Sequence, residues 1–157
     1  MRARPAPGEG WTSSRLGAAI FFALAAWGSA YTALSLHQPP PGLALRPIFA
    51  AAAMAGMLAG WFHVHRSLGK GFVRAALAGI NAGITALLYF AVLAAAYNTL
   101  RAYRYTKFDT ATALLEHVVL RIVDVCLVAL EPQVCATILI GSAVAGTYAE
   151  QMRRAWD

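Results

Sequence analysis

The stretch TATALLEHVVLRIVDVCLVAL, residues 110–130, decides how many times this chain crosses a membrane. It is rich in leucine and valine, yet Glu116, His117, Arg121 and Asp124 interrupt it. His117, Arg121 and Asp124 follow one another at helical spacings, so they share one face. Thr110 and Glu131 continue that face, while Leu114, Leu115, Val118, Val119, Ile122 and Val125 cover the rest. A mostly apolar helix with one narrow polar stripe either lies in the membrane interface or lines the inside of a bundle. A charge at mid-membrane costs roughly 2.5–3.5 kcal/mol on insertion scales, and pairing Arg121 with Asp124 or His117 would reduce that cost. Asp109 is the predicted N-cap, and Pro132, just after Glu131, closes the helix.

Outward from this segment, the chain divides into apolar runs. Residues 16–36 carry no charge. At about 1.5 Å per residue that run crosses a hydrocarbon core of about 30 Å. The basic start and the WGSA stretch imitate a signal peptide, but the apolar run continues past them to Leu36, which favours a retained span. HQPPPG, residues 37–42, stops the first helix, since consecutive prolines cannot continue it. A second span is predicted over 46–63, with Pro47 in its first turn. A third covers 72–100, long enough to imply tilt or an extension into the interface. Tyr97, Tyr103 and Tyr105 interleave there with Arg101, Arg104 and Lys107 as an interfacial girdle. A last span is predicted over 133–152. Residues 1–15 read as a disordered cytoplasmic tail, and 153–157 as a second cytoplasmic tail.

Charge chooses between the two placements of 110–130. If that helix lies along the surface, both chain ends share one side. Arg2, Arg4, Arg15, Arg66, Lys70, Arg74, Arg153 and Arg154 then lie in the cytoplasm, against Arg46, Arg101, Arg104, Lys107 and Arg121 outside. If it crosses, Arg153 and Arg154 move outside and the bias vanishes. The positive-inside rule thus favours the first arrangement. The predicted fold is an all-α integral membrane bundle, with four transmembrane helices plus one amphipathic, interfacial helix.

Composition agrees with lipid as the solvent. The 157 residues are 59 % hydrophobic and only 13 % charged, about half the charge of an ordinary soluble domain. The net charge of +6 sits at the ends of apolar runs rather than on a patch, which argues against nucleic acid as a partner.

Small residues recur every fourth position: Ala52, Gly56 and Gly60; Ala75, Gly79 and Gly83; Gly141 and Ala145; Ser142 and Gly146. Such ridges let helix backbones approach closely in lipid. Asn81 and Thr85 share a face beside one ridge and are expected to make hydrogen bonds between helices. The loop GWFHVHRSLGKGF, residues 60–72, fails the phosphate-loop pattern at positions 64 and 71. His63 and His65 lie two apart and point in different directions, with no acid nearby, so no metal and no other cofactor is predicted. The loop reads as a cytoplasmic turn, with Gly69 and Gly71 giving permissive backbone and Arg66, Lys70 and Arg74 meeting the anionic leaflet. Cys126 and Cys135 fall in apolar runs, where a thiol behaves as a small hydrophobe.

Taken in order, the chain presents a first span, then AGWFHVHRSLGKGF, then a long span with GINAGITALLYF and a tyrosine/arginine girdle. A charged apolar helix ending in EP follows, and then a glycine-rich span closing on AEQMRRAW. This order, over about residues 17–156, resembles the TrgA family of small bacterial membrane proteins associated with tellurium resistance. The most specific parts are the Gly60-Trp61 end with its glycine/basic loop and the closing acidic-then-basic tail. The family loop has no fixed His-x-His, so His63 and His65 look peculiar to this chain. The resemblance implies a contribution to tellurite tolerance in the cell envelope and no catalytic residues.

The functional expectation is therefore a non-enzymatic protein of the bacterial inner membrane, with its N-terminus cytoplasmic. No nucleophile triad, catalytic carboxylate pair or cofactor fingerprint is present. Its partners are the lipid bilayer and a second copy or another membrane protein. Two other readings stand beside it: a small oligomeric anion transporter or channel with Arg121 drawing the anion, and a membrane scaffold recruiting a partner through its basic loop and tails.

Overall fold

The structure is a computed structural model, and it describes residues 13–37, 45–64, 68–103 and 110–156. Several sequence expectations lie outside these residues: the tail 1–12, the proline stop at 38–42, His65 and Arg66, and the segment 104–109 with Arg104, Tyr105, Lys107 and Asp109. The described residues are almost wholly helical and include no strand. They form α1 (Ser13–Leu36), α2 (Leu45–Ala59), α3 (Phe72–Tyr103), α4 (Ala111–Ala129) and α5 (Pro132–Trp156). A π-helical turn, Gly60–Val64, prolongs α2.

Three of these stretches are long and apolar enough to cross a membrane: Ser14–Leu36, Leu45–Val64 and Phe72–Tyr103. The sequence reading expects four. α5 falls short because Gln133, Thr137, Ser142, Thr147, Glu150 and Gln151 dilute its apolar residues. α4 is interrupted by Glu116, Arg121 and Asp124.

Small residues fill the interior and large ones cover the outside. Ala18, Ala55, Ala59, Ala75, Ala82, Ala91, Ala95 and Ala149 are fully buried, whereas Leu24, Val73, Leu77, Leu100 and Ile140 are more than half exposed. That inversion suits a lipid solvent, which gives bulky apolar side chains no reason to turn inward and leaves close backbone packing to hold the helices. Hydroxyls inside the apolar runs are satisfied locally: Ser29 donates to the Ala25 carbonyl at 2.9 Å and Thr32 to the Gly28 carbonyl at 3.0 Å. Such bonding keeps polar groups from facing hydrocarbon unpaired.

The small-residue ridges set the helix order. Gly56 lies against the Phe22 carbonyl and Gly60 against that of Ala18, so α1 and α2 run antiparallel. Gly79 lies against Ser142 and Gly146, Gly83 against Ser142, and Gly146 against the Ala75 carbonyl, so α3 and α5 run antiparallel. α5 also runs antiparallel to α1: Gly17 meets Met152, the rings of Phe21 and Tyr148 stack at 4.8 Å, and Gly141 approaches Ala25. α5 is therefore held between α1 and α3. α4 packs mainly on α3 and barely touches α5.

Candidate functional site

Two polar sites lie at opposite ends of the bundle. The first involves the predicted stripe of α4. Thr110, not Asp109, caps this helix in the structure: its backbone is extended and its hydroxyl accepts the Ala113 N–H at 3.3 Å. The stripe faces α3. His117 Nδ1 lies 3.3 Å from the hydroxyl of the buried Thr99. Arg121 donates to Asp124 at 3.1 Å, with both side chains at least half exposed. Together with Asn98, Arg101 and Ala102 of α3, His117 and Arg121 line a polar cleft of about 340 Å³. The outward face of α4 carries Leu115, Val119, Leu120, Val123 and Leu127, all largely exposed.

Below that cleft an apolar cavity of about 300 Å³ separates the helices. Ala30 and Ala33 of α1, Ala86 and Phe90 of α3 and Val125 and Val128 of α4 are among its walls. Its few polar lining groups include His37 and Asp124. His37 Nε2 lies 2.7 Å from the Glu131 carboxylate, tying the end of α1 to the α4–α5 turn.

The second site was missed by sequence reasoning. Glu150, on α5, is fully buried. Its carboxylate accepts the backbone N–H of Gly69 at 2.6 Å and the Arg154 Nε–H at 3.0 Å, and Arg153 Nε lies 3.6 Å away. The Arg154 guanidinium also sits 4.3 Å above the ring of Phe72, the first residue of α3. Gly69 and Gly71 hold φ values of +90° and +101°, a region that costs other residues about 1–2 kcal/mol. A Cβ on Gly69 would further come within 2.9 Å of the Arg153 guanidinium. The glycine/basic loop is thus a clasp: its backbone bends left-handed so that one N–H reaches a buried acid. A signal existed in the sequence, since an acid followed by arginines three and four positions later is a helical ion-pair pattern.

Other singled-out residues are placed as follows. Asn81 is exposed, and the Thr85 hydroxyl donates to the Asn81 carbonyl at 2.9 Å within α3. The ring of His63 lies edge-on to Tyr89, 6.2 Å between centroids. Cys126 and Cys135 are half-buried free thiols. Among the described residues no group of three or more His, Cys, Asp or Glu converges as a metal site. No family model, curated protein or solved structure matches the chain.

Proposed function

We propose that the chain is a non-enzymatic, four-span protein of the bacterial inner membrane that contributes to tellurite tolerance. In this reading α1, α2, α3 and α5 cross, α4 packs along the outer part of α3 without crossing, and both ends are cytoplasmic. The observation that carries the span count is the seating of α5 between α1 and α3. A helix packed along two crossing helices shares their depth. Its polar residues suit that place: Ser142 is buried, Thr137 and Thr147 bond to their own helix, and Glu150 sits in its clasp at the end. Arg15, Lys70, Arg74, Arg153 and Arg154 lie at the helix ends nearest the clasp, which supports a cytoplasmic assignment for that end.

The tellurite role rests on the order of segments that resembles the TrgA family, and it invokes no catalytic group. Its test is growth of a deletion strain across a tellurite series. Lost tolerance that returns on complementation supports the role, and unchanged tolerance removes it. The anion-channel reading gains little support, because the cavity beside Arg121 and Asp124 is walled mainly by apolar side chains, which offer a hydrated anion no path.

A further inference from the structure

The polar cleft and the apolar cavity both border the seam between α3 and α4. On α4, His117 and Arg121 line the cleft, while Asp124, Val125 and Val128 line the cavity. These positions fall at helical spacings on a single face. On α3, Ala86 and Phe90 line the cavity and Asn98, Arg101 and Ala102 the cleft, again along one face. The Arg121–Asp124 ion pair links a residue of the cleft to a residue of the cavity. The seam between α3 and α4 is therefore apolar toward the middle of the bundle and basic toward the outer end.

We infer that this seam binds one anionic phospholipid, its phosphate in the basic cleft and an acyl chain in the cavity. Among the described residues the cleft is lined by two guanidinium groups and an imidazole, with Asp124 bonded to one of the guanidinium groups at 3.1 Å. Arg121 gives one N–H to Asp124 and keeps further donors in its fork for a phosphate oxygen. The cavity reaches the lower end of the size range of small-molecule sites. Its walls are mainly alanine, valine and phenylalanine, which offer an alkyl chain contact but give water almost no partners. In a bilayer the molecule at hand with an apolar tail and an anionic head is a phospholipid. The inference rests on the membrane reading of the bundle, which retention in the membrane pellet after an alkaline wash tests separately.

The experiment is native mass spectrometry of the full-length protein released from nanodiscs of mixed phosphatidylglycerol and phosphatidylcholine. Wild type is expected to retain one phosphatidylglycerol in preference to phosphatidylcholine. The double variant Arg101→Gln, Arg121→Gln should lower that retention about tenfold or more, the change expected for losing a charged hydrogen bond. Ala86→Leu, which fills the cavity, should lower retention of both lipids. Ala33→Leu, on the opposite wall, serves where Ala86→Leu does not give a monodisperse protein. Equal retention of the two lipids overturns the anionic head. Undiminished retention in the cavity-filled variants overturns the buried chain. Displacement by millimolar inorganic phosphate, with the cavity variants unaffected, points to a free-anion site and also overturns the proposal.

Discussion

The carboxylate of Glu150 accepts the N–H of Gly69 at 2.6 Å across 81 positions of chain. Nothing else in the bundle joins a buried charge to a loop backbone so directly among the described residues. The contact fastens the α2–α3 turn to the end of α5, and it depends on both an acid and a left-handed glycine.

Replacing Glu150 tests the clasp from the acid's side. Glu150→Ala leaves the Gly69 N–H without its acceptor and Arg153 and Arg154, both partly exposed, without their carboxylate, with an expected loss of about 1–3 kcal/mol, the cost of leaving a buried hydrogen-bonding group unsatisfied. Glu150→Gln keeps an acceptor for the N–H and should lose less. Thermal unfolding of the purified protein in detergent reads the difference. Equal melting temperatures for wild type and Glu150→Ala would remove the clasp as a stabilising element.

Gly69 and Gly71 differ in a way that two substitutions resolve. Both hold positive φ, so either change to alanine should cost about 1–2 kcal/mol in backbone strain. Only Gly69 carries the N–H that Glu150 accepts, so a shift of its backbone also loosens the clasp, while a Cβ on Gly71 meets nothing within 4 Å. Gly69→Ala should therefore melt at a lower temperature than Gly71→Ala. The reverse order would mean that the loop reaches Glu150 by another path.

The α3–α5 contact predicts a sharp positional dependence. Gly146 touches the Ala75 carbonyl and lies 3.0 Å, measured from its would-be Cβ, from Gly79 Cα. Backbone cannot swing aside as a side chain can. Gly146→Leu should destabilise by at least the roughly 1–3 kcal/mol typical of overpacking. Gly28→Leu, at a position with nothing within 4 Å of its Cβ, should be tolerated. Detergent-resistant melting of the two variants compares them, and similar melting would sink the close-approach account.

Topology is open to chemical labelling. With Cys126 and Cys135 changed to serine, a cysteine introduced in place of Ala155 should react with an impermeant maleimide only in inside-out vesicles. One in place of Leu130 should react from the opposite side. Labelling of both from the same side would place α5 outside the bilayer.

The charge-free runs made α1, α2 and α3 legible, because length and apolarity are properties of consecutive residues. The stripe of His117, Arg121 and Asp124 was legible for the same reason, being a spacing within one helix. Thr110 took the cap from the neighbouring Asp109, a one-residue shift that depends on which oxygen meets the Ala113 N–H. The cleft was illegible, since Asn98 and Arg101 join His117 and Arg121 only when α3 packs on α4. Glu150 was not legible as a buried acid, because its decisive partner, the Gly69 N–H, lies on another segment. α5 drew its membrane assignment from the distribution of charge at its ends, although its composition alone falls short of a span.

That shortfall bears on how the protein is made. Insertion machinery judges each emerging helix largely by its own apolarity, so α5 is a poor client by itself. Its groove, between α1 and α3, is complete before α5 leaves the ribosome. Biogenesis should then be ordered, with the last helix recruited by those already in the bilayer. Chains lacking residues 1–37 should leave a glycosylation reporter after α5 on the wrong side more often than full-length chains do. Equal reporter glycosylation in the two would mean that α5 enters unaided.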